Sequence, residues 1–190
     1  MTEGAHRGFR RVRRIGGTTA SRLAWALCAL TLLVLAASLV LILLGWSTPL
    51  PHGATPWRDW AVSLIGIVGA PILGGLIASR RPRNLYGWLR LGFGLGLSFQ
   101  LLAGAYASYA LVEPGSLVAP RAIPQLLNPG GPLALTLATF LLLLFPTGRL
   151  PSLRWRVVAW IVVVSGAVLI SLSFFYRNPD QAGARSPFWP

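Results

Sequence analysis

Lysine is absent from this 190-residue chain, and only four acidic residues occur in it, Glu3, Asp59, Glu113 and Asp180. All four lie outside the apolar runs, so no pair of carboxylates is placed for general acid–base chemistry. Nor is any Asp, Glu, Lys, Arg or His set deep within a run, where ionisable groups mark proton relays and ion pathways. That argues against a pump or coupled transporter. A single cysteine, Cys28, and two distant histidines, His6 and His52, allow neither a disulfide framework nor a Cys/His metal cluster. No catalytic residue, metal or cofactor is expected. Charged residues make up 11% of the chain, against about 25% in soluble domains.

What the chain has in abundance is apolar sequence, 54% of its residues. A bilayer core of about 30 Å needs about 20 apolar residues to cross it. The first run, 23–46, holds twenty-four residues without a charge. It is longer than a signal-peptide core and lacks a clean small-x-small cleavage site, so it is read as a retained signal anchor. Further spans are expected at 60–79, 88–112, 123–145 and 157–176. The fourth has an apolar core only from Leu133 to Phe145, so it must begin near Ile123 and accommodate Asn128–Pro132 as a kink or a broken first turn. Trp46, Trp60, Trp88, Trp155 and Tyr176 stand at span ends, as an aromatic belt requires. The fold class expected is therefore all-α, a polytopic bundle of five transmembrane helices over 23–176. A basic tail, 1–22, precedes it, its first twenty residues disordered or lipid-associated, and a tail without a domain follows at 177–190.

The seventeen basic residues, all arginine, fall between these runs in alternating heavy and light groups. Arg7, Arg10, Arg11, Arg13, Arg14 and Arg22 precede the first run; Arg80, Arg81, Arg83 and Arg90 follow the second; Arg149, Arg154 and Arg156 follow the fourth. The remaining gaps and the end hold Arg58, Arg121, Arg177 and Arg185. Thirteen arginines thus fall on one side and four on the other, and short cytoplasmic loops are where basic residues accumulate. The expected topology is multi-pass in the inner (plasma) membrane, N-terminus in the cytoplasm and C-terminus outside. A net charge of +13 and a pI near 11.9 would otherwise suggest nucleic acid. Interleaved with spans, the charge is topological, and nucleic acid is not an expected partner. The exclusive use of arginine points to a GC-rich bacterial genome.

Small residues recur every fourth position in the second run, Gly66, Ala70, Gly74 and Ala78, and in the third, Gly92, Gly96, Gly104 and Ser108, with Gln100 on the same line. Such faces let helix backbones approach, and an amide within the membrane bonds a neighbouring helix. The plain reading is helix packing; the functional one is a ligand-sensing cleft around Gln100. Pro71 removes one backbone hydrogen bond and should kink the second helix. The Gly92–Gly96 segment lacks the strand context and Lys-Ser/Thr of a phosphate cradle.

Two loops on the arginine-rich side carry the most specific text, ASRRPRNLYGWLRLGFGL at 78–95 and LLLLFPTGRLPSLRWR at 141–156. Pro146 ends a helix because the residue before a proline is driven from the α region, Gly148 permits a turn, and Arg80, Arg81, Arg83, Arg149, Arg154 and Arg156 anchor at anionic headgroups. These loops resemble those in the membrane-embedded N-terminal region of bacterial sensor histidine kinases of the actinobacterial and chloroflexi type. Arg80, Arg81, Pro82, Asn84, Gly87, Trp88 and Leu89 follow one pattern of that family, from which Leu85 and Tyr86 depart. Phe145, Pro146, Gly148, Arg149, Leu150, Pro151, Ser152, Arg154, Trp155 and Arg156 follow the other closely. The resemblance covers roughly 20–180. It implies the sensor input module of a two-component system, truncated or split from its kinase domain, since neither a phosphoacceptor helix pair nor an ATP-binding domain follows. No residue is carried over as catalytic or ligand-binding. The partners implied are the bilayer and either a second copy of the chain or a separate kinase chain. A free-standing membrane scaffold is the alternative, and a permease fragment is disfavoured by the lack of buried charge.

Overall fold

The structure, a computed structural model, describes residues 3–48, 56–144 and 154–175. They form α1 (Glu3–Gly45), α2 (Trp57–Arg80), α3 (Leu85–Val112), α4 (Ala122–Leu127), α5 (Gly130–Leu143) and α6 (Trp155–Phe175), with no strand among the described residues. Five stretches are long and apolar enough to cross a membrane: Thr19–Gly45, Ala61–Arg80, Leu85–Val112, Ala122–Leu143 and Trp155–Phe175. The chain is an all-α, multi-pass integral membrane protein, as its apolar runs require. Helix runs back from the first span to Glu3, where the composition pointed to disorder or lipid association; no proline interrupts 3–22. The third span starts earlier than its apolar text because the Asn84 side chain caps it, Oδ1 accepting from Tyr86 N at 3.0 Å, which satisfies one of the orphan donors of a helix start. Tyr176, the 145–153 loop with Arg149, and the tail at 177–190 lie outside the described residues.

Helices α1, α2 and α3 pack on one another as a triangle. From Ala24 onward α1 buries Ala24, Cys28, Thr31, Leu35, Ser38, Ile42 and Gly45, in alternating steps of four and three. That is the 3.5-residue seam of left-handed helix pairs, and small or weakly polar residues hold most of it. Thr31 and Ser38 return their hydroxyl protons to the carbonyls of Leu27 and Val34, at 2.8 and 2.9 Å, so neither leaves an unpaired donor in the core. Leu35, Ile67 and Leu101 form the middle layer, one side chain from each helix. The faces of α1 turned away expose Leu33, Val40 and Leu43, which lipid covers.

The turn between α2 and α3 explains most of its distinctive text. Arg81 N–H bonds the Ile77 carbonyl at 2.8 Å and Asn84 N–H the Arg81 carbonyl at 2.9 Å. Trp88 Nε1 donates to the Pro82 carbonyl at 2.9 Å, locking the first turn of α3 over the loop. At Gly87 a Cβ would stand 2.7 Å from the backbone nitrogen of Ala78, so only glycine lets the two helices leave the turn this close. Arg80, Arg81 and Arg83 project exposed around it, as do Arg154 and Arg156 at the start of α6.

On the far side of the triangle α5 packs against α3, and α6 packs against α5 with a light contact to α4. Buried residues are few in α6, Gly166 and Ser173.

Candidate functional site

The fourth span divides at Asn128–Pro129 into α4 and α5. At a rise of about 1.5 Å per residue α5 is only about 21 Å long, so its N-terminus lies within the thickness of the bilayer. Broken backbone is stable at that depth only where protein buries it or a cavity receives it. Pro129 supplies no N–H and no capping side chain. The missing acceptor comes instead from α3: Gln100 Oε1 accepts from Gly131 N at 3.2 Å, in addition to a weaker bond from the same N–H to the Asn128 carbonyl at 3.4 Å. Gln100 is thus a helix cap delivered from another helix.

The end of α6 is closed in the same way. Asn128 Nδ2 donates to the Ser173 carbonyl at 3.1 Å, and Gln125 Nε2 donates to the carbonyls of Phe174 and Ser173. These are among the last carbonyls of α6, which have no partner within the helix. Between the break, α3 and α6 lies a cavity of about 590 Å³ lined by Gln100, Asn128, Gly131, Pro132, Leu169, Leu172 and Ser173. Its volume falls in the range of small-molecule sites, about 300–1,000 Å³, and it combines apolar walls with a few fixed polar groups, as such sites do. The Gln100 amide nitrogen makes no hydrogen bond to the described protein and remains a donor at the cavity wall.

The small-residue lines divide by face. On α3, Gly96 is buried against the start of α5, where a Cβ would meet the Gly130 carbonyl oxygen at 2.8 Å and Ala134 N at 3.1 Å. Gly92 faces the Leu137 side chain at 3.0 Å, Gln100 continues the line, Gly104 is half-buried and Ser108 is buried. On α2, Ala70 and Ala78 are buried, and Gly74 lies under the α3 backbone, 2.8 Å from Leu91 N to a built Cβ. Gly66 departs from its line: it is exposed, with nothing within 4 Å of a built Cβ. The two helices stay packed past this level, through Leu64, Ile67 and Leu101 and then Ala61 and Ala105. A step of four residues drifts around a helix of 3.6 residues per turn and carries Gly66 off the face that Ile67 occupies. Pro71 does not interrupt α2; its ring is buried, with its Cδ 3.0 Å from where a Cβ on Gly94 would stand.

Among the described residues no three His, Cys, Asp or Glu side chains stand close enough to hold a metal. Comparison with protein families, with curated proteins and with solved structures finds no match to this chain. Sequence reasoning singled out Gln100 but treated Asn128–Pro132 only as a break to be tolerated, and it passed over Gln125, Asn128, Gly131 and Ser173. Two amides within four residues of a prolyl-glycyl stretch, in an otherwise apolar region, are the signal that marks them.

Proposed function

We propose that this chain is the membrane input module of a bacterial two-component signalling system, with the cavity beside Gln100 as its sensing cleft. The observation that carries the reading is the broken fourth span. It opens a cavity at membrane depth whose largely apolar wall carries a few fixed polar groups, and one of them, the Asn128 amide, also holds the end of α6. A small amphipathic ligand entering the cleft competes for Gln100 and crowds Leu169 and Leu172, and so changes how α6 sits on α5. A ligand shifts an equilibrium only by its differential affinity for the two states, and α6, with two buried residues, is the least anchored of the long helices. The link to a kinase rests on the resemblance of the two arginine-rich loops, including the Pro82, Asn84, Gly87 and Trp88 that build the α2–α3 turn.

The test is reconstitution of the full chain in proteoliposomes with the histidine kinase encoded beside it or in continuation of it. Leu172→Trp, which fills the cleft, is expected to change the autophosphorylation rate about fivefold or more, within the usual span of allosteric coupling. A kinase whose rate is indifferent both to the chain and to this variant overturns the reading. It would leave the free-standing scaffold, which one observation favours: Gly66 and Gly69 of α2 face open space, where a further membrane helix could pack.

The orientation follows from the arginine asymmetry, with the arginine-rich end in the cytoplasm. On intact cells Ser47→Cys, Ser116→Cys and Ser186→Cys are expected to react with an impermeant thiol reagent, while Thr147→Cys stays silent until the membrane is opened. Labelling of Thr147→Cys from outside inverts the topology.

A further inference from the structure

A second cavity, of about 280 Å³, lies at the opposite, arginine-rich end, between α3 and α5, lined by Tyr86, Arg90, Ala138, Leu141 and Leu142. Tyr86 and Arg90 are one helical turn apart and share a face of α3; Ala138, Leu141 and Leu142 present the facing ridge of α5. Arg90 is held here by its backbone, because α2 crosses directly against it: a Cβ built on Gly74 would stand 3.2 Å from the Arg90 carbonyl carbon. Its Nε is buried and has no hydrogen-bond partner. No acid answers it. The acidic side chains described are Asp59, which pairs with Arg58 at 3.8 Å, and Glu113, the C-cap of α3, and both lie at the other end of the bundle. A buried guanidinium N–H without an acceptor is costly, and none of the described residues supplies one here.

We propose that this groove is a binding site for one anionic phospholipid, its phosphate on Arg90 and its acyl chain along Ala138, Leu141 and Leu142. The guanidinium fork fits a phosphate in two-point contact. The Tyr86 hydroxyl, which bonds to nothing among the described residues, is a second donor beside it. The open, apolar side of the groove suits a lipid chain rather than a free anion. Arg80, Arg81 and Arg83 ring the same end of the bundle, exposed, and raise the local concentration of anionic headgroups. Basic pockets between membrane helices at this level are where such headgroups are held. Arg90 then differs in kind from the loop arginines: they attract the leaflet, and it selects one lipid.

Native mass spectrometry of the full chain in detergent, titrated with dioleoylphosphatidylglycerol or dioleoylphosphatidylcholine, tests this. The wild type is expected to retain one phosphatidylglycerol in preference to phosphatidylcholine. Arg90→Gln should lower that affinity about tenfold, the loss of one charged hydrogen bond, whereas Arg81→Gln changes it less than about twofold, as suits an exposed charge. Ala138→Leu keeps the arginine and narrows the groove, and it too should lower phosphatidylglycerol retention, which keeps the test decisive if Arg90→Gln does not fold. Equal retention of the two lipids by the wild type, equal losses from Arg90→Gln and Arg81→Gln, or displacement of the lipid by inorganic phosphate alone would each overturn the proposal.

Discussion

Gly96→Leu is expected to lower the unfolding free energy of the bundle by about 3 kcal/mol, the upper end of the usual cost of overpacking. The contacts at this position decide the magnitude. A Cβ on residue 96 meets the Gly130 carbonyl oxygen at 2.8 Å and the Ala134 nitrogen at 3.1 Å, and backbone atoms cannot rotate away as a side chain can. The reverse view is as tight: a Cβ on Gly130 would stand 2.5 Å from the Gly96 carbonyl oxygen. Leucine must therefore push α5 from α3 along the start of α5, where Gln100 caps it. Gln100→Leu is the matched control. It removes one interhelical hydrogen bond, a contact that averages only about 0.6 kcal/mol in membrane proteins. Denaturant unfolding of both variants in detergent ranks them. If Gln100→Leu is the more damaging, the polar cap outweighs the close backbone crossing, and the cavity is held open chiefly by its amides.

The second large effect is expected at Gly166→Leu, because α6 is seated on α5 at this point. A Cβ there runs into Oγ1 and the other side-chain atoms of Thr136. Thr136 cannot yield easily, since its hydroxyl donates to the Pro132 carbonyl at 2.8 Å and a β-branched side chain in a helix has little rotamer freedom. The variant should release α6 while leaving the α1–α2–α3 triangle in place. In a Cys28→Ala background, Ser173→Cys reports this release, because Ser173 is buried against the broken span. Its rate of reaction with a thiol reagent is expected to rise about 5- to 150-fold, the equivalent of about 1–3 kcal/mol. An unchanged rate means that the Gln125 and Asn128 bonds, and not Gly166, keep α6 in place.

Particular residues show how far the chain could be read without its tertiary structure. The spans were legible because membrane insertion is decided by length and mean apolarity, both local properties of a run such as 23–46. The α2–α3 turn was legible as a motif but not as a mechanism: Pro82, Asn84, Gly87 and Trp88 were visible as text, while the carbonyl that Trp88 bonds and the backbone that Gly87 admits were not. The small-residue line on α2 was read as continuous, yet Gly66 faces open space, since a four-residue step drifts around a 3.6-residue helix and Ile67 takes the buried place instead. The α1 seam escaped altogether. In water, hydrophobic residues mark the buried face; in lipid both faces are apolar, and Ala24, Cys28, Thr31, Ser38 and Gly45 are distinguished only by being small or weakly polar.

The sequence by itself determined that this chain lies in a membrane, how many times it has the length and apolarity to cross, and which of its ends carry the arginines, because each depends on summed transfer free energies and charge along the chain. Only the tertiary structure decided which faces meet and where the cavities lie. Gln100 caps a helix through a residue thirty-one positions later, and Asn128 closes another through a carbonyl forty-five positions beyond it. Such pairings come from the crossing of helices at glycines, a property of two backbones together that neither segment carries alone.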